Sequence, residues 1–168
     1  DGVSAPTPIA GGGQGVGAPP PLAFDSALLG GMYARKIWLI GTEAGVGVRN
    51  AGTIQTEAGP VRLMGMGELV VTAAGRIENI GTIQAAGDAR ISAPALDNGG
   101  KVLSATSTRI TAEGELRNTG TIEGQRVELA STAGNVVNAG TIRQASSAGL
   151  ALASPALVNS GFIGQEPA

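Results

Sequence analysis

The chain has 168 residues and a formal net charge of −2; it is 42% hydrophobic but only 2% aromatic and 14% charged, with 28 glycines and neither Cys nor His. That composition excludes Cys/His zinc sites, Ser-His-Asp and Cys-His nucleophile systems and any disulfide framework. The charge balance gives no drive toward nucleic acid or an acidic membrane, no apolar run reaches the ~18 residues of a membrane span, and no cofactor is implied.

Asp1 to Asp25 is rich in Gly, Pro, Ala and Ser, with Gly11-Gly12-Gly13 and Pro19-Pro20-Pro21. It cannot bury enough apolar surface to order itself as a packed unit. Residues 1–25 therefore read as a poorly ordered linker, pressed against the rest of the chain near Leu22 and Phe24. The segment has neither the basic start nor the apolar stretch of a signal peptide, and with Asp1 in place of Met the chain reads as a piece of a longer protein. The Gly11–Gly17 stretch lacks the strand, helix and Lys of a phosphate loop.

In Ser26 to Arg49, the run Ile37-Trp38-Leu39-Ile40 predicts a strand with Ile37 and Leu39 inward and Lys36, Trp38 and Ile40 outward. Beyond it, Asn-x-Gly recurs six times, at Asn50, Asn79, Asn98, Asn118, Asn138 and Asn159, each followed closely by a β-branched aliphatic: Ile54, Ile83, Val102, Ile122, Ile142 and Ile163. A fixed period near ~20 residues means one structural unit repeated along an axis. Each repeat has three apolar patches, such as Val102, Ile110 and Leu116, which predict three short strands per coil joined by Gly, Ala and Asn corners. The fold class is all-β: a parallel β-helix, a solenoid of six to seven ~20-residue coils over 26–163, right-handed because parallel crossovers nearly always are, with a tail at 164–168.

The first step, from Asn50 to Asn79, is longer than the others, and Val71 already aligns with Ile110. An insertion near 59–67 accounts for the excess. One coil buries about six aliphatic side chains at roughly 1.5–3 kcal/mol each, while fixing its ~20 backbones costs on the order of 1–2 kcal/mol apiece. Only a stacked array is stable. In this register Ile110 belongs to the core and Thr108 to a turn or outer face.

The block from Gly30-Gly31-Met32-Tyr33-Ala34 to Gly45-Val46-Gly47-Val48-Arg49-Asn50-Ala51-Gly52, with the Asn-x-Gly-Thr-Ile coils after it, resembles filamentous haemagglutinin and, more broadly, the exoproteins of two-partner secretion, contact-dependent inhibition proteins included. The resemblance covers roughly Leu22 to Ile163. It implies a β-helical shaft, secreted or displayed on the outer surface of a Gram-negative bacterium, exported unfolded through a dedicated outer-membrane transporter partner. That family's secretion domain carries Asn-Pro motifs; this chain has no Asn-Pro, so the resemblance places it downstream of the secretion signal. The function implied is a structural shaft or adhesive segment of an adhesin or contact-dependent toxin carrier, not an enzyme.

Candidate site residues are read from the register. The six asparagines read as corner residues tolerant of left-handed geometry, pointing into the turn, with amides bonded to the next coil in a ladder. Thr53, Thr82, Thr121 and Thr141 form a column without a Thr-x-Thr partner, so β-branched strand preference explains them better than an ice-binding face. Arg90 and Arg109 should stack on one outer face, with Arg126 two residues upstream of the matching register. Such a stripe suits a sulfated host-cell glycan; the plainer reading is a solvated edge balanced by Glu113, Glu115 and Glu128. Trp38 beside Arg35 and Lys36 could stack on a sugar ring or pack under the linker or against upstream coils. The alternative function, a carbohydrate-active β-helix enzyme, needs clustered acids, whereas Glu78, Asp88, Asp97 and Glu123 are spread one per coil.

Overall fold

The computed structural model describes residues 22–25, 30–42, 47–56, 67–147 and 150–165. They form twenty strands in three parallel sheets, of seven, seven and six strands, and no helix occurs among the described residues. In every sheet hydrogen-bonded neighbours are three strands apart in sequence, as winding around one axis demands. One coil runs Ile77–Asn79 in the first sheet, Thr82–Ala85 in the second and Ala89–Ala93 in the third. The chain is a parallel β-solenoid.

The interior is a set of stacked columns. Val71, Ile91, Ile110 and Leu129 are in register in the third sheet, Ile54, Ile83, Val102, Ile122 and Ile142 in the second, and Val48, Ile77, Leu96, Leu116 and Val136 in the first. All are buried. Strand alternation drives this: in Ala89–Ala93 the odd positions are buried and Arg90 and Ser92 are exposed. Aliphatic side chains, many of them β-branched, stacked on others of similar size fill a narrow core.

Three expectations need correction. Leu22–Asp25, assigned to the linker by composition, is the first strand of the first sheet and pairs with Gly47–Asn50, with Phe24 packed on the core; residues 1–21 lie outside the described residues. Thr108 does not face outward. It is fully buried, in register with the inward Val127 and Ala89, and its hydroxyl donates to the Glu123 carbonyl at 2.8 Å and lies 2.9 Å from Ser104 Oγ. That partnered hydroxyl is what lets a polar residue occupy a core position. Finally, no non-glycine among the described residues has positive φ, so the asparagines do not use left-handed geometry.

Most of the expected insertion near 59–67 lies outside the described residues. Its flanks are described: the chain leaves the second sheet at Thr56 and joins the third at Leu69, and the Thr56 hydroxyl donates to the Gly67 carbonyl at 2.6 Å.

Candidate functional site

Two features repeat from coil to coil, one inside and one outside. Inside, each corner asparagine ends a strand of the first sheet, and from Asn50 to Asn138 its side chain is buried rather than aimed into the turn; Asn159, in the last strand of that sheet, is exposed. Nδ2 of each donates to Oδ1 of the next: Asn50 to Asn79 at 2.8 Å, then Asn79 to Asn98, Asn98 to Asn118, Asn118 to Asn138 and Asn138 to Asn159, all at 2.7 Å. The same amide also reaches a carbonyl where the next coil enters the second sheet, such as Lys101 O from Asn79 and Thr121 O from Asn98, each at 3.2 Å. A primary amide carries a donor and an acceptor on opposite arms of one planar group, so each asparagine can accept from one neighbour while donating to the next.

The x and Gly of each motif complete the corner. From the Asn79 motif onward both backbone amides donate to the asparagine carbonyl of the preceding coil; Thr119 and Gly120 reach Asn98 O at 2.8 and 3.0 Å. A Cβ at Gly81, Gly100, Gly120, Gly140 or Gly161 would meet a backbone oxygen of the coil below at 2.0–2.1 Å. Glycine is required there by close approach, not by backbone angle. Sequence reasoning found the motif but not this reason for its third residue.

Outside, the third sheet carries the proposed glycan contacts. Trp38, Val70, Arg90, Arg109, Glu128 and Ala151 are successive partners in one column. Trp38, Arg90 and Arg109 therefore share a face, while Arg126 aligns with Ser107, two residues upstream, as expected. The exposed Trp38 ring lies under Lys36 Nζ, 4.3 Å from its centroid, a cation–π contact. The arginines are already engaged: Arg90 pairs with Glu68 and, at 2.8 Å, with Asp88, and Arg109 Nε donates to Glu128 at 2.7 Å. Glu68 also pairs with Lys36 at 2.9 Å. The Lys36 ammonium, hydrogen-bonded to it, holds the Glu68 carboxyl below its ordinary range against a smaller opposing effect of burial, and Arg90 and Trp38 act in the same direction as Lys36.

Of the acids expected to balance this stripe, Glu128 does so. Glu113 and Glu115 sit at the corner after Ala112, and Glu68 and Asp88 take their place. Arg126 makes no side-chain hydrogen bond or ion pair among the described residues. It borders a polar groove of about 470 Å³ with Asp88, Ser107, Arg109, Gln125 and Glu128.

The four carboxylates weighed for catalysis fall on three faces. Glu78 and Asp97 are neighbours on the first sheet, facing Arg49 and Arg76, Glu123 pairs with Arg143 on the second, and Asp88 lies beside the third. Among the described residues no group of three or more His, Cys, Asp or Glu could hold a metal ion, and no helix is long and apolar enough to cross a membrane.

A stacked solenoid with a repeated Asn-x-Gly corner defines the class of protein. The sequence matches the haemagglutinin repeat family over residues 10–81 and 62–120, and the chain belongs to that family. It is 46% identical over 82 residues to Toxin CdiA of Yersinia pestis, 46% over 66 residues to tRNA nuclease CdiA-2 of Burkholderia pseudomallei (strain 1026b), and 47% over 58 residues to Toxin CdiA of Escherichia coli. These matches cover 48%, 39% and 34% of this chain but 2% of each relative. No solved structure matches.

Proposed function

We propose that this segment is part of the shaft of a two-partner-secreted exoprotein, an adhesin or a carrier of a contact-dependent toxin, displayed on or released from a Gram-negative cell after passage through an outer-membrane transporter. The observation that carries this reading is the equivalence of the coils. Asn79, Asn98, Asn118 and Asn138 make the same amide-to-amide contact at 2.7 Å, so the chain is built to add length at constant geometry. The CdiA names of the relatives favour the toxin-carrier form, while the nuclease activity in one of those names belongs to that protein.

Excising residues 99–118 from the parent protein tests it. The cut joins Asn98 to Thr119-Gly120 and regenerates the motif. Export should persist and the rod should shorten by one coil, about 4.8 Å. Loss of a hydrolytic activity toward polysaccharide, with the fold intact, would instead favour the carbohydrate-active enzyme.

A second reading keeps Trp38, Arg90, Arg109 and Arg126 as contacts for a sulfated host glycan. It is favoured by the shared column of Trp38, Arg90 and Arg109 and by the unengaged Arg126, and opposed by the carboxylates already on Arg90 and Arg109. Retention on immobilised heparin at low salt, lost in the Arg90→Ser plus Arg109→Ser double variant, would support it; no retention would remove it.

A further inference from the structure

Asn98-Gly99-Gly100 is the one motif among the six whose middle residue is glycine; elsewhere that position holds Ala51, Ile80, Thr119, Ala139 or Ser160. Nothing in the corner requires glycine at 99. Its φ is not positive, and an added Cβ would meet its nearest neighbour, Thr119 Oγ1, at 3.6 Å, an ordinary contact. The contrast is with Gly100, where a Cβ would lie 2.0 Å from Gly81 O. Gly99 is thus a residue the packing leaves unexplained, and it comes directly after an asparagine.

Asn-Gly is the dipeptide in which the next amide nitrogen, unshielded by a side chain, attacks the asparagine side chain most readily. In the folded corner both reactants are held. Gly99 N–H donates to the Asn79 carbonyl at 2.8 Å. Asn98 Nδ2 donates to Asn118 Oδ1 at 2.7 Å, Asn98 Oδ1 accepts from Asn79 Nδ2 at 2.7 Å, and Asn98 is 1% exposed. Attack requires the coil to open.

We propose that Asn98–Gly99 is a conformation-gated self-modification site, inert in the solenoid and reactive in the unfolded chain. The Gly99 nitrogen bonds to Asn98 Cγ as the Cγ–Nδ2 bond breaks, and Nδ2 departs as ammonia with the proton from Gly99. Water then opens the cyclic imide at either carbonyl, leaving aspartate or isoaspartate. Aspartate turns a ladder donor into an acceptor facing the Asn118 oxygen, and isoaspartate also lengthens the backbone in the strand Leu96–Asn98. Either product blocks the corner, so a chain held unfolded too long loses its ability to complete this coil.

The test is peptide mapping by mass spectrometry of the 168-residue chain incubated at mildly alkaline pH, native or in urea. The expected result is conversion at Asn98 ahead of every other asparagine in urea, and on the order of a hundred-fold slower conversion in the native chain, where local opening must precede attack. Gly99→Ala should suppress conversion in urea. On dilution from urea the converted fraction should fail to regain the native β spectrum. Equal rates in the two states would overturn the proposal. So would conversion in urea at Asn98 no faster than at Asn50 or Asn138, or full refolding of the converted chain.

Discussion

Asn98 donates to Asn118 across one coil at 2.7 Å, and Asn118 passes the contact on to Asn138 at the same distance, with all three side chains buried. Asn118→Ala removes an acceptor from below and a donor from above. An unpaired buried polar group costs about 1–3 kcal/mol, and Asn98 Nδ2 retains only its carbonyl contacts, while Asn138 Oδ1 loses its donor. We expect a loss of about 2–4 kcal/mol in urea unfolding, with an unchanged β spectrum at low denaturant.

The corner glycine predicts a contrast between glycines of two successive corners. Gly120→Ala places Cβ 2.0 Å from the Gly100 carbonyl oxygen, a contact with backbone that cannot swing away. It should cost more than about 3 kcal/mol, in the range of severe packing faults. Gly99→Ala, twenty-one residues earlier, where Cβ would make only ordinary contacts from 3.6 Å outward, should stay within about 1 kcal/mol of the parent. Thermal unfolding of the two variants side by side decides this.

Much of this architecture is legible in the sequence because stacking repeats each residue's environment. The Asn-x-Gly period gives the coil length, and the alignment of Val71 with Ile110 across the long first step is the register found. Leu22 to Asp25 was hidden by its Gly- and Pro-rich neighbours. Thr108 was hidden because its polarity argues for an outer face, while its partners Ser104 and Glu123 become neighbours only through winding. The same holds for the outer charges: Glu68 meets Arg90 twenty-two residues on, a separation at which sequence alone does not mark a pair.

Thr108 supplies a prediction that reverses the outward assignment. Thr108→Asp should be as damaging as Ile110→Asp, each placing an unpaired carboxylate at a fully buried position at a cost of several kcal/mol. Thr108→Val keeps the shape and gives up the hydroxyl contacts, for about 1 kcal/mol. Urea midpoints of the three variants check the order.

Glu68 gives the pH dependence. Its carboxyl is held below the ordinary range in the fold, so its contribution to stability is present above the unfolded-state value and is lost as pH falls through the lower folded value. Stability should therefore decline on acidification below the usual carboxylate range, and Glu68→Gln should give up that contribution at neutral pH and so flatten the same part of the decline, a small effect because the Lys36 and Arg90 partners are solvent-exposed. Unfolding midpoints across an acid series, parent against variant, measure it.

The central claim is that successive coils stack one strand spacing apart in the stated register. The chain has no cysteine, so a pair of introduced thiols reports on that directly. Ser92 and Thr111 are partners on the outer face of the third sheet, and Ala130 is the partner of Thr111 one coil further on. Adjacent parallel strands lie about 4.8 Å apart, within the ~4.4–6.8 Å between Cα atoms that a disulfide spans; two spacings exceed it. The chain carrying Ser92→Cys with Thr111→Cys should oxidise to an intramolecular disulfide while native, and the chain carrying Ser92→Cys with Ala130→Cys should not. Failure of the first pair to close, or equal closure of both, would contradict the stacked solenoid.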